Sequence, residues 1–248
     1  MKMLIVFDLD GTLAESKSQI DNEMSLLLSE LLLVKSVAVI SGGSFQQFEK
    51  QLIAGLKCRT GLLKKLFLFP TCSTSFYRYD NGWVKVYSED LLKHEKERIM
   101  NAFSKVLSGI AFNPGKVYGN LIEDRGTQIT FSALGQEAPA ALKKDWDPNH
   151  RKRQEITDLL EKYIPEFEIR MGGTTSIDVT RKGIDKAYGI GQIEKYLGFS
   201  KDEMLFIGDA LFEGGNDYPV KQAGVEVLEV SGPNDTKKII RALMRQFA

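Results

Sequence analysis

The sequence predicts an α/β protein: a doubly wound parallel sheet covered by helices, with a smaller α+β unit inserted into it. Three observations carry this. Short apolar, partly β-branched runs alternate with helix-length segments at the start of the chain, the pattern of strands buried on both faces. The middle of the chain changes to paired strands and two long amphipathic helices. After Gly183 the first pattern returns.

Residues 4–7 (Leu-Ile-Val-Phe) form the first strand, stopped by acids and Gly11. Residues 22–33 have helical spacing and length, 37–40 form a second strand ended by Ser41-Gly42-Gly43, 45–56 read as helix, and 66–69 form a third strand stopped by Pro70. Residues 76–79 and 84–87 flank Asp80-Asn81-Gly82, which is turn chemistry between two strands. In the insert, 93–107 and 151–163 read as amphipathic helices. Strands are expected at 121–122 with 128–131 and at 167–171 with 176–179, while 138–144 and 147–149 read as loops. Residues 186–197 are helical, 204–207 and 225–230 are strands, and Pro233 opens a final helix. The expected division is a core of residues 1–87 and 181–248, Rossmann-like in its winding, with residues 88–180 inserted as a cap.

Composition excludes several classes. Across 248 residues Lys plus Arg (33) equals Asp plus Glu (33), so net charge recruits neither nucleic acid nor an anionic membrane. Two cysteines (Cys58 and Cys72) and two histidines argue against a disulfide framework or a zinc site, and fit inert thiols in a reducing cytoplasm. The N-terminal apolar run is too short for a secretory leader. Residues 26–40 are apolar but broken by Glu30 and Lys35, too short and charged to span a bilayer.

Open parallel sheets bind ligands outside the carboxyl ends of their strands. The chain delivers Asp8, Asp10 and Thr12 there from the first strand, Ser41, Gly42 and Gly43 from the second, and Asp209 with Asn216 and Asp217 from the returning segment. Lys186 opens a helix. Carboxylates repel phosphate, so a hard cation belongs between them; an all-oxygen site suits Mg²⁺, with Asp8 and Asp209 as side-chain ligands. Asp8 can then attack phosphorus. Lys186, the Ser41 hydroxyl and the amides near Gly42 and Gly43 can offset charge on the equatorial oxygens. Asp10 can protonate the leaving alkoxide and later activate water.

These segments resemble the haloacid dehalogenase superfamily of phosphotransferases: DxDGT at residues 8–12, the serine at Ser41, the lysine at Lys186, and GD followed by an acidic loop at residues 208–217. The resemblance implies that the Asp10 carbonyl is a further Mg²⁺ ligand. An insert between the second and third motifs resembles the type II cap class, which holds sugar phosphatases and the eukaryotic-type phosphomannomutases. Residues 124–131 (DRGTQITF) and 172–179 (GGTTSIDV) resemble mutase cap segments, which implies that Arg125, Ser176 and Asp178 face a sugar phosphate. Ser132 and Gln136 stand where those mutases carry arginine, which favours a phosphatase unless Arg170 or Arg181 compensates. The expectation is a phosphohydrolase acting on a small phosphorylated metabolite, with phosphomannomutase as the alternative. A non-enzymatic phosphate receiver ranks third, since it needs neither Asp10 nor a cap. Homodimerisation stays open.

Overall fold

The computed structural model describes residues 2–245. The chain forms two compact units, Met1–Ser88 with Asp185–Ala248, and Glu89–Ile184. Its strands, in order, are β1 (Leu4–Asp8), β2 (Ser36–Ile40), β3 (Leu66–Phe69), β4 (Ser75–Tyr79), β5 (Trp83–Ser88), β6 (Ile122–Asp124), β7 (Ile129–Ser132), β8 (Phe167–Gly172), β9 (Ser176–Arg181), β10 (Met204–Gly208) and β11 (Glu226–Glu229).

In the first unit seven strands run in the order β11-β10-β1-β2-β3-β4-β5. β11 through β3 are parallel, and β4 and β5 add antiparallel. The two-residue period of a strand explains its uninterrupted apolar sequence. Ile5, Phe7, Val37 and Val39 point to one face, against Met24, Leu28 and Leu31 of the helix Asn22–Val34 and Ile240 of the helix Pro233–Arg245. Leu4, Val6, Ala38 and Ile40 point to the other, against Ile190 and Ile193 of the helix Lys186–Leu197. The central strands β1, β2 and β10 are thus apolar at nearly every position, because helices cover both faces.

The second unit is a four-stranded antiparallel sheet, β6-β7-β9-β8. Ile129, Phe131, Ile177 and Val179 pack against Ile99 and Phe103 of the helix Lys93–Gly109 and Ile156 and Leu160 of the helix Arg151–Tyr163. The alternate positions, Thr130, Ser132, Ser176 and Asp178, form a polar face.

Several expectations need correction. Residues 45–56 are not one regular helix: a single turn, Phe45–Phe48, widens into a π-helical turn, Glu49–Ile53. This extra residue per turn carries Gln51 inward, where it is buried. Residues 138–144 are not a loop, because the helix Ala140–Trp146 starts directly after Pro139. Its Ala-Ala-Leu-Lys-Lys run consists of strong helix formers. The insert ends later than residue 180, since β9 continues to Arg181 before the turn at Gly183. Cys58 and Cys72 form no disulfide, and both are half-buried. Among the described residues no helix is long and apolar enough to cross a membrane.

Candidate active site

Strand register brings the sequence motifs of the first unit to one edge. Asp8 pairs in register with Ile40, so Ser41 emerges one residue beyond it. Phe7 pairs with Ile207, so Gly208-Asp209 leaves β10 alongside Asp8. After β1 the chain turns tightly: the amides of Leu13 and Ala14 both donate to the Leu9 carbonyl, at 3.0 and 3.1 Å. Gly11 has φ +89°, and a Cβ there would collide with the Asp209 carboxylate. Glycine is required on both counts. Buried Thr12 donates to Asp209 Oδ1 at 3.2 Å. Asp10 Oδ1 accepts from the Lys17 amide at 2.6 Å and from Gln51 Nε2 at 3.2 Å.

Lys186 is the first residue of its helix. Asp185 caps that helix, its side chain accepting from the Tyr188 amide at 2.9 Å. The lysine is 1% exposed. Its Nζ lies 2.5 Å from Asp8 Oδ1 and also donates to Asp217 Oδ1. Asp217 is itself fixed by the Ala210 amide, 3.0 Å from Oδ2. Asp8, Asp209 and Asp217 each offer a carboxylate oxygen within 4.8 Å of the others.

The electrostatics of this cluster are unbalanced. Burial pushes the Asp8 carboxyl well above its ordinary range; Lys186 opposes this, while Asp217 and Asp209 add to it. Burial and the neighbouring Asp217 likewise raise Asp209. Burial disfavours the Lys186 ammonium, but Asp217 and Asp8 more than reverse that, so its pKa is raised and it stays charged. Three carboxylates therefore face one ammonium. Asp8 Oδ2 is buried and makes no hydrogen bond. An orphaned carboxylate oxygen in an acid-rich, all-oxygen pocket fits a hard divalent cation.

The Ser41 loop supplies hydrogen-bond donors. The Gly43 amide donates to Ser41 Oγ at 3.2 Å, which occupies a lone pair and leaves the hydroxyl proton available to donate. The Ser44 amide donates to Gln47 Oε1 at 2.8 Å in a capping box that anchors the loop's far end.

In the second unit, Asp178 accepts from Thr130 at 2.7 Å. Ser176 and Ser132 hydroxyls lie 3.0 Å apart, and Gln136 Nε2 donates to Ser132 at 2.7 Å. The two residues standing where arginine was expected thus form a neutral hydrogen-bonded chain with Ser176. Arginines on or beside this sheet are matched by carboxylates. Arg125 Nε lies 2.7 Å from Glu123, and Arg170 lies 3.0 Å from Glu168. Arg181 binds Glu95 through two nitrogens, at 3.0 and 2.7 Å.

Of the residues singled out in the sequence, Asp8, Thr12, Lys186, Asp209 and Asp217 are joined by bonds or by the carboxylate cluster. Ser41, Gly42 and Gly43 share their sheet edge. Asp10 turns its carboxylate to Lys17 and Gln51, outside the cluster of three. Asn216 is exposed and takes no part in these bonds. Arg125, Ser176 and Asp178 lie in the second unit. The sequence did not disclose Gln51 and Lys17 as supports of Asp10, nor Asp217 as a partner of the lysine. The Gly208-Asp209 motif followed by a second acid was the available signal for Asp217.

The model of the eukaryotic phosphomannomutase family matches residues 24–246. A probable phosphomannomutase of Caenorhabditis elegans is 26% identical over 255 residues, covering 99% of this chain and 97% of that protein. The phosphomannomutase of Saccharomyces cerevisiae is 27% identical over 247 residues, covering 97% and 93%. Among solved structures, Plasmodium falciparum IMP-nucleotidase with bound IMP shares the fold at a TM-score of 0.75 and 19% identity, covering 98% of this chain and 68% of that one. A haloacid dehalogenase-like hydrolase of Bacteroides thetaiotaomicron does so at 0.65 and 14%, covering 98% and 100%. The chain is an enzyme of the haloacid dehalogenase superfamily, a phosphatase or phosphotransferase, and belongs to its eukaryotic phosphomannomutase family.

Proposed function

We propose that the chain is a Mg²⁺-dependent phosphohydrolase that takes a phosphoryl group from a small sugar phosphate onto Asp8 and passes it to water. The observation that carries this is the buried arrangement of Asp8, Lys186, Asp209 and Asp217, with one Asp8 oxygen on the ammonium and the other without a hydrogen bond. Asp8 and Asp209, with the Asp10 carbonyl, would hold Mg²⁺, which supplies Lewis-acid charge compensation between carboxylate and phosphate. A carboxylate oxygen of Asp8 forms the new bond to phosphorus as the bond to the sugar oxygen breaks. Asp10 passes a proton to that leaving alkoxide. It then takes a proton from the water that attacks the aspartyl-phosphate, which releases phosphate and restores Asp8. Lys186, the Ser41 hydroxyl and the Gly42 amide serve the equatorial oxygens. Arg125, Ser176 and Asp178 of the second unit act on the sugar.

Water is the favoured acceptor because the sheet of the second unit pairs its arginines with carboxylates and replaces two others with Ser132 and Gln136. A mutase must grip the distal phosphate of a bisphosphate, for which bidentate arginine is suited. Family membership favours the second reading, interconversion of mannose 6-phosphate and mannose 1-phosphate. One assay separates them. Phosphomonoesters are incubated with Mg²⁺ and the chain, free phosphate is measured, and mannose 1-phosphate with a bisphosphate activator is followed for isomerisation. Isomerisation outrunning phosphate release would replace the hydrolase reading with the mutase one.

A further inference from the structure

The chain leaves β3 through a turn in a region of backbone space that side chains avoid. Thr71 (φ 51°, ψ 49°) and Cys72 (φ 54°, ψ 38°) are left-handed, and Ser73 follows with φ 69°. None is glycine, asparagine or aspartate, so each side chain strains the backbone there. Such backbone persists where its surroundings over-determine it, and it collects at functional sites.

The surroundings here are specific. Thr74 Oγ1 donates to the Thr71 carbonyl at 2.7 Å, and the Tyr87 hydroxyl donates to the Ser73 carbonyl at 2.7 Å. Ser73 packs into the helix that begins with Lys186, where a Cβ on Gly189 would collide with Ser73 Oγ. On the other side, consecutive amides of the turn reach the Ser41 loop: Thr71 donates to the Gly43 carbonyl and Cys72 to the Ser41 carbonyl, each at 2.9 Å. Consecutive residues of one helical hand aim their amides the same way, so a left-handed pair can hold both carbonyls at once. In a trans peptide the carbonyl and the following amide point in opposite directions. Anchoring the Ser41 carbonyl on Cys72 therefore aims the Gly42 amide away from the turn.

We propose that residues 71–73 are a positioning device that sets the Ser41–Gly42 peptide plane, and with it the donors that receive the transferred phosphoryl group. This rests on the aspartyl-phosphate reading above. The probe is beryllium trifluoride with Mg²⁺, a mimic of phosphorylated aspartate, with its Kd measured by titration. Melting temperatures are recorded alongside. Cys72→Val places a β-branched residue, for which left-handed backbone is an outlier, where Cys72→Asn places one that tolerates it. The expected result is that Cys72→Val weakens binding about tenfold and Cys72→Asn stays within about twofold, in keeping with the strain of such positions. If Cys72→Val does not fold, Tyr87→Phe, which removes the hydroxyl from the Ser73 carbonyl, is expected to weaken binding about threefold. Equal affinity in the wild type and the folded variants overturns the positioning role alone. Absence of binding to the wild-type chain overturns the aspartyl-phosphate reading, and this inference with it.

Discussion

The two units pair their charged groups in opposite ways. In the first, three carboxylates surround one ammonium, and Asp8 Oδ2 is left without a hydrogen bond. In the second, Asp178 is served by Thr130, and Arg125, Arg170 and Arg181 are matched by Glu123, Glu168 and Glu95. A buried polar group without its partner costs free energy unless something else completes it. The first unit therefore holds a charge cluster that its own side chains do not balance, which suits the cation and phosphoryl group proposed above. The second pairs the charges of these arginines internally, in keeping with the neutral part of the substrate proposed above.

Removing the nucleophile breaks this contrast most severely. Asp8→Asn keeps the shape of the carboxylate and loses its attack, so turnover should fall by at least roughly three decades. Steady-state kinetics on an aryl phosphate checks it, and turnover near the wild-type level would end the covalent mechanism. Next in size is the ammonium. Lys186→Met leaves Asp8 and Asp217 buried against each other, and breaking a buried ion pair costs about 3–5 kcal/mol. Thermal unfolding without metal should show that loss. Mg²⁺ should restore part of it, since a ligand that binds only the folded state stabilises it. The same Mg²⁺-dependent rise in melting temperature, present in the wild type, should vanish in Asp209→Asn.

How much of this was readable in advance follows from distance along the chain. Asp8, Ser41 and Asp209 each follow a short buried strand, so their shared edge was legible from local pattern and the rule for parallel sheets. The bond between Lys186 and Asp8 spans 178 residues, yet motif order made their meeting legible. The turn at residues 71–73 was not, because no glycine or asparagine marks its left-handed backbone. Gln51 was hidden too: a π turn shifts the face of a helix without altering its composition. The charge pairing of Arg125 with Glu123 depends on a rotamer, which no periodicity reports.

A smaller effect tests the second unit's internal charge pairing. The bidentate contact with Arg181 holds Glu95 at a pKa of about 2 against an ordinary 4.5. A carboxyl whose folded pKa is depressed stabilises the fold above its unfolded pKa and loses that contribution as pH falls through the folded value. Glu95→Gln should thus lower stability by about 1 kcal/mol at pH 7. The difference from wild type should shrink as pH drops from 4.5 towards 2. A difference that stays constant across that window would mean that Glu95 acts through packing instead.

The smallest effect sharpens the comparison most, because it asks whether the pairing of arginines decides the acceptor. Arg125 is 5% exposed in its side chain and its Nε lies 2.7 Å from Glu123. Glu123→Gln keeps the size and hydrogen-bonding reach of the acid but removes the charge that it sets against the guanidinium. If Glu123 is what keeps Arg125 from serving as an anion grip, the variant should bind a sugar bisphosphate about fivefold more tightly, the equivalent of one charge contact of about 1 kcal/mol. Turnover of a sugar monophosphate should change little, because Glu123 lies outside the cluster that performs the chemistry. Competitive inhibition by the bisphosphate during monophosphate hydrolysis measures the first quantity, and kcat the second. Arg125→Ala provides the control, since it should erase the gain when combined with Glu123→Gln. Unchanged bisphosphate affinity in Glu123→Gln, together with a marked loss in Arg125→Ala alone, would show that Arg125 grips a distal phosphate despite its acid. The second unit would then be charged for bisphosphate capture, and the mutase reading would displace the hydrolase one.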